Sequence, residues 1–283
     1  MLKVENLNFS YGNRKILKDI SFETDGGRVV SILGPNGVGK TTLMKCMCNV
    51  HKPSSGNVTV NGKDVLSLSG KDLAKNIAFV PQSMPRTRVL VYDAVLMGRK
   101  PYINISVTEN DLDITSKAIQ TLGLENLAFR YVDQISGGEF QKVQIARALA
   151  QESSVMMLDE PTNNMDVCNQ HLTMEIASSM ACGTDTCVIM TMHDINLSLY
   201  YSDTLLFMKG GDIVAYGGRE IVTSDLIYDV YGMEVDVIRH KNVPLVVPCE
   251  TVTGLAAKRH MKSHSHPHDA TEHIFDSENC CSN

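Results

Sequence analysis

A chain of 283 residues, 43% hydrophobic and 20% charged, can bury a full core, and it holds no apolar run near the roughly 20 residues a membrane helix needs. Its formal net charge of −6 argues against general nucleic-acid binding, which rests on a basic field, so no nucleic-acid partner is expected. The eight cysteines form no Cys-x-x-Cys pair and the polar start Met1–Asn6 lacks the apolar stretch of a signal peptide, so reduced thiols in a cytoplasmic protein are expected.

Strand-like runs open the chain at Lys3–Phe9 and Ile16–Phe22, with turns at Gly12-Asn13 and Gly26-Gly27. Val29–Leu33 is a continuous apolar run of strand length, and a glycine-rich loop leads from it into a helical stretch over Lys40–Val50. Strand, loop and helix make the first unit of a parallel α/β sheet. Asn57–Val60 and Lys63–Val65 flank Asn61-Gly62 as a hairpin, and Ile77–Val80 reads as a strand. Between Val91 and Gln151 the pattern turns helical, with apolar residues at three and four spacing in Asn110–Leu122 and Glu139–Gln151. Strands return at Val155–Leu158 and Val188–Met192, each followed by a helical segment. Thr204–Met208 and Ile213–Tyr216 bracket a hairpin turn, and Glu234–Ile238 and Pro244–Val247 make a last strand pair around His240-Lys241-Asn242. Residues 254–283 are polar and His-rich and read as a tail with little fixed structure.

Gly34-Pro35-Asn36-Gly37-Val38-Gly39-Lys40-Thr41, followed by Thr42, fits the phosphate-binding loop pattern. Glycines let backbone N–H groups turn inward onto phosphate oxygens. Lys40 can reach the β and γ phosphates, the Thr41 hydroxyl can ligate Mg²⁺, and the helix N-terminus adds positive potential. Val155–Leu158 is a buried strand that ends in Asp159 and Glu160. Such a strand holds its terminal carboxylates at the carboxyl edge of the sheet, where ligands bind. Asp159 would hold Mg²⁺ through water, and Glu160 would orient and deprotonate the attacking water.

Ser136-Gly137-Gly138-Glu139 precedes the helical stretch ending at Gln151, so Ser136 can cap that helix and the two glycines can offer N–H groups to an anion. With this order of motifs the chain resembles the nucleotide-binding subunits of ATP-binding-cassette transporters over residues 1–240. Ile135-Ser136-Gly137-Gly138-Glu139 is similar to the family signature Leu-Ser-Gly-Gly-Gln, with Ile for Leu and Glu for Gln. The resemblance implies a P-loop NTPase core of α/β class with an antiparallel β subdomain and a helical subdomain at about 91–151. A short β extension over 241–253 and the 254–283 tail follow.

The same resemblance assigns Tyr11 to stacking on adenine. It assigns Gln82 to sensing Mg²⁺ and meeting the permease, Asp166 to a loop that crosses a dimer, and His193 to the γ-phosphate. Ser136, Gly137 and Gly138 of one subunit would complete the P-loop site of another, so two ATP molecules with Mg²⁺ are sandwiched in a homodimer. The expected role is an ATPase peripheral on the cytoplasmic face of the membrane, working with an integral membrane permease and an extracytoplasmic substrate-binding protein. Met97-Gly98-Arg99-Lys100-Pro101-Tyr102 resembles a stretch of importer subunits for iron–siderophore, haem and cobalamin, and reads as a turn with a basic pair near the permease-facing surface. A zinc or manganese importer subunit and a soluble cassette ATPase of cofactor assembly are the alternatives. His260, His264, His266, His268 and His273, with Cys280-Cys281, are a candidate metal-binding set in the tail.

Overall fold

The fold, seen in a computed structural model, is described for residues 1–163, 165–182 and 184–249. The tail with its histidines and Cys280-Cys281 lies outside the described residues. Strands β1 (Leu2–Tyr11) and β2 (Arg14–Thr24) form an antiparallel pair that opens the chain. Strand β3 (Val29–Leu33) then runs through the Gly-rich loop into helix α1 (Lys40–Met47). Strands β4 (Ser55–Val60) and β5 (Lys63–Asp64) complete a four-stranded antiparallel sheet in the order β2-β1-β4-β5. Their turn has φ of 51° at Asn61 and 73° at Gly62, the doubly left-handed geometry that matches strand twist in a two-residue hairpin.

Helix α2 (Gly70–Asn76) leads into β6 (Ile77–Val80). Three helices follow, α3 (Val91–Leu96), α4 (Glu109–Thr121) and α5 (Gly137–Ala150), before β7 (Val155–Asp159). Helix α6 (Val167–Ala181), β8 (Cys187–Thr191), α7 (Ile195–Tyr201), β9 (Thr204–Lys209) and β10 (Asp212–Gly217) complete the core. The second sheet has six strands in the order β10-β9-β3-β8-β7-β6, parallel except for the β9–β10 hairpin.

Why β3, β7 and β8 read as unbroken apolar runs is clear from their two faces. Val29 and Leu33, Met156 and Leu158, and Val188 and Met190 pack into one core, on the side of the helical segment. Val30 and Ile32, Val155 and Met157, and Cys187 and Ile189 pack into a second core with α1 and the antiparallel sheet. A sheet covered on both sides has no solvent face to alternate with. Burial pushes the Cys46, Cys48 and Cys187 thiols up to about 12, 11 and 11, so they stay protonated and unreactive.

Two helices escaped the periodicity reading. Helix α2 buries no side chain, and α8 (Ser224–Tyr231) buries only Ile227 and Val230, so neither writes a long apolar stripe. Strands β11 (Val235–His240) and β12 (Val243–Pro248) form the last hairpin about Lys241 and Asn242, both at positive φ. The expected boundary at residue 240 falls inside this hairpin, and Met1–Pro248 form one unit. No helix among the described residues is long and apolar enough to cross a membrane.

The basic pair in Met97–Tyr102 is not a surface pair, contrary to the expectation. Arg99 is 3% exposed, not at the surface. Its Nε donates to Asp111 Oδ1 at 3.0 Å, and its Nη1 donates to the Ala150 carbonyl at 2.8 Å and to Glu152 Oε2 at 2.7 Å. Its guanidinium also lies over the Tyr102 ring, 4.2 Å from the centroid. Gly98 lets this turn press on α5, because a Cβ there would overlap the Arg147 carbonyl oxygen. Only Lys100 of the pair faces solvent.

Candidate functional site

The site lies where the parallel strands end. β3, β8, β7 and β6 are neighbours in that order, and their carboxyl ends carry the glycine loop, His193, the Asp159-Glu160 pair and Gln82 respectively. Residues far apart in sequence meet because strand order, not chain order, sets the spacing.

At the end of β3, Gly34 has φ of 146° and touches the Met208 carbonyl closely enough that no Cβ would fit. Gly39 caps α1 at φ 110°, again a glycine conformation. The loop folds back over Lys40, which is 6% exposed, and Lys40 Nζ donates to the carbonyls of Gly34 at 2.6 Å and Pro35 at 3.1 Å. Burial lowers the Lys40 pKa, opposed by the charges of Glu160 and Asp159. Lys40 Nζ is thus held by two backbone carbonyls near two carboxylates. A cavity of about 340 Å³ opens here, lined by Tyr11, Asn36, Gly37, Gly39, Lys40, Thr41, Thr42 and Glu160.

The Thr41 hydroxyl donates to Asp159 Oδ1 at 3.0 Å, so the residues expected to share a divalent cation already touch. A hydroxyl and a carboxylate are hard oxygen donors of the kind Mg²⁺ takes alongside water and phosphate, so the donor set fits that ion. Asp159 is 1% exposed and also accepts from the Thr191 hydroxyl at 2.6 Å. That same Thr191 oxygen accepts the Glu160 backbone N–H at 2.9 Å. Thr191, at the end of β8, thus ties both acids to the next strand, and sequence reading gave it no role.

Glu160 has a backbone φ of 52°, uncommon for a non-glycine residue, and the turn aims its side chain back across the strand ends. Its Oε2 accepts from Gln82 Nε2 at 2.5 Å and from Asn163 Nδ2 at 3.2 Å. Its Oε1 lies 2.5 Å from His193 Nε2. Gln82, Glu160 and His193 therefore converge on one point. Gln82 hydrogen-bonds Glu160 and not the Thr41–Asp159 pair.

The glycine signature is built differently. Ser136 is the N-cap of α5, its Oγ accepting from Glu139 N–H at 3.3 Å, while Glu139 Oε2 accepts from Ser136 N–H at 2.7 Å. This is a capping box, and hydrogen bonds from the Ser136 N–H first and the Ser136 hydroxyl second lower the Glu139 carboxyl. Glutamate in place of glutamine thus keeps the cap. Gly137 borders a second cleft, of about 210 Å³, that Gln82, Arg86 and Glu160 also line, and Ser136 and Gly138 do not line the P-loop cavity. Asp166 is the N-cap of α6 and accepts from the N–H of Asn169 at 2.9 Å and from its Nδ2 at 2.7 Å, which lowers its carboxyl pKa. It too stands outside the P-loop cavity. The fold brings together the P-loop, Asp159, Glu160, Gln82 and His193, and leaves Ser136–Gly138 and Asp166 outside the P-loop cavity.

A family model described as ABC transporter matches residues 17–163. An uncharacterized ABC transporter ATP-binding protein of Methanocaldococcus jannaschii is 44% identical over 248 residues, 88% of this chain and 98% of its own length. The hemin import ATP-binding protein HmuV of Thermobifida fusca is 36% identical over 252 residues, 88% of each chain. Among solved structures, the dimeric post-hydrolysis state of an ATP-binding cassette bound to ADP and Pi matches with a TM-score of 0.69 at 25% identity, over 77% of this chain and 98% of that one.

Proposed function

The chain belongs to the ABC transporter family as an ATPase subunit whose hydrolysis is coupled to transport, and from that premise we propose that it drives import of iron–siderophore, haem or cobalamin. The observation that carries the chemistry is the convergence of Gln82 and His193 on Glu160 while the neighbouring Asp159 holds Thr41. Within the proposal, the P-loop amides from Gly34 to Thr42 and Lys40 take the ATP phosphates, and Tyr11 stacks on adenine. Thr41, Asp159 and Gln82 would hold Mg²⁺, which when bound neutralises charge on the phosphates. Glu160 takes a proton from the attacking water, a role worth typically ~10²–10⁴ in rate. His193 turns from Glu160 to the γ-phosphate.

Ser136–Gly138 do not line their own P-loop cavity, which supports completion of the site by a second copy, with Asp166 at the crossing. Two copies closing on ATP is a population shift that requires tighter ATP binding to the closed state. The subunit sits peripherally on the cytoplasmic face, bound to an integral membrane permease that an extracytoplasmic substrate-binding protein supplies. The hemin-import relative supports the cargo class.

Recovery of tagged Glu160→Gln protein from native membranes with Mg-ATP tests the reading. A many-helix permease carrying haem, a corrinoid or an iron chelate is expected. A soluble scaffold with no membrane partner would overturn the transport role.

A further inference from the structure

Tyr11 is the last residue of β1 and 51% exposed, so on sequence grounds its ring should sample several rotamers. The structure holds it at both ends instead. The ring meets Phe9 edge-on, with centroids 4.8 Å apart and planes at 89°. Its hydroxyl lies 2.9 Å from His51 Nε2. His51 in turn lies flat against Phe9, with centroids 5.3 Å apart and planes at 13°. Phe9 is 8% exposed and belongs to the core around α1, so the aromatic group is anchored.

The backbone explains why His51 is there. The His51 and Val50 N–H groups both donate to the Lys45 carbonyl, at 2.9 and 2.8 Å, which wraps the chain round the end of α1 and brings residue 51 back to the tip of β1. The helix that starts at Lys40, under the glycine loop, ends at Met47, and the turn after it carries the residue that fixes the aromatic ring.

We propose that His51 is a positioning residue for nucleotide binding: by stacking on Phe9 and hydrogen-bonding the Tyr11 hydroxyl, it presets the Tyr11 ring for the adenine base. The proposal rests on the reading that Tyr11 stacks on adenine. Immobilising one free side chain on binding costs enough to change affinity about two- to tenfold, and His51 removes that cost before ATP arrives. The contribution acts on the base and not on the phosphates, and it acts on binding and not on turnover.

The test uses the full chain with His51→Leu, His51→Gln and Tyr11→Phe, measuring equilibrium binding of ATP and of tripolyphosphate, and steady-state hydrolysis. His51→Leu should raise the ATP Kd and KM about two- to tenfold, leave kcat within about twofold, and leave tripolyphosphate affinity unchanged. Tyr11→Phe, which keeps the ring and loses the hydroxyl, should match it, and the double variant should be no worse than either single one. His51→Gln, which can still hydrogen-bond the hydroxyl, should recover most of the loss. Unchanged ATP affinity in His51→Leu would overturn the proposal, and so would an equal loss for ATP and tripolyphosphate. A Tyr11→Ala variant with unchanged ATP affinity would instead remove the adenine assignment, a failure that reads out separately from any result at His51.

Discussion

His193 Nε2 stands 2.5 Å from Glu160 Oε1, although the two residues leave different strands and lie 33 positions apart. On the opposite side Gln82 Nε2 holds Oε2. The carboxylate proposed to activate water is therefore engaged through both oxygens. In the proposed mechanism the His193 contact yields, with the γ-phosphate competing for the imidazole.

Glu160→Gln should retain ATP binding and lose ~10²–10⁴-fold in turnover, because the amide accepts hydrogen bonds but takes no proton. With hydrolysis blocked, the closed pair should accumulate in Mg-ATP. Light scattering after gel filtration checks this directly. A monomer at saturating nucleotide would remove the sandwich from the mechanism.

Thr191→Val keeps the side-chain shape and deletes the hydroxyl shared by Asp159 and the Glu160 N–H. Leaving a largely buried donor unpaired costs about 1–3 kcal/mol, so Tm should fall by several degrees and turnover should fall with it, while Thr191→Ser keeps both. A Val variant with wild-type Tm and activity would show the bridge to be idle. The P-loop and the acid-ended strand were legible because each is a local pattern whose residues act from one segment. Thr191 was not, because its partners exist only once β8 lies beside β7 in the register that sets Thr191 opposite Asp159. His51 escaped notice likewise, since a turn at the end of α1 delivers it to β1.

Arg99 shows the reverse error, a local pattern with a wrong meaning. Gly98-Arg99-Lys100-Pro101 looks like a solvated basic turn, and the carboxylate that lets Arg99 stay buried comes twelve residues later, from α4. Arg99→Met should cost about 3–5 kcal/mol by stranding Asp111, which is 3% exposed. Lys100→Ala should stay within about 0.5 kcal/mol. Urea unfolding of the two variants decides it, and equal stabilities would return Arg99 to the surface.

The same pair predicts a pH dependence. The Thr108 hydroxyl and N–H, and then Arg99, hold the Asp111 carboxyl below its ordinary value. A carboxyl depressed in the folded state takes up its proton more readily when unfolded, so its stabilisation is complete above the unfolded value of about 3.9 and is lost as pH falls through the lower folded value. The stability gap between wild type and Asp111→Asn should be flat from pH 8 to 5 and close below about pH 4. A gap that already narrows between pH 7 and 5 would contradict the depressed carboxyl.

Ser136 invites a substitution that separates its two roles. As the N-cap of α5 it stabilises its own helix, and in the proposed dimer it faces the partner's γ-phosphate. Ser136→Ala removes both, at about 1 kcal/mol for the cap alone, and so cannot distinguish them. Ser136→Asp caps as well as serine and complements the helix dipole, so the free subunit should keep its Tm. The same carboxylate would set a negative charge against the phosphate of the opposing site, where like charges in a closed interface cost several kcal/mol. Ser136→Asp should therefore fold normally, bind ATP at its own P-loop, and fail both to dimerise in Mg-ATP and to turn over. If it hydrolyses ATP at the wild-type rate, the α5 N-terminus does not meet the phosphate, and completion of the site by a second copy must be abandoned.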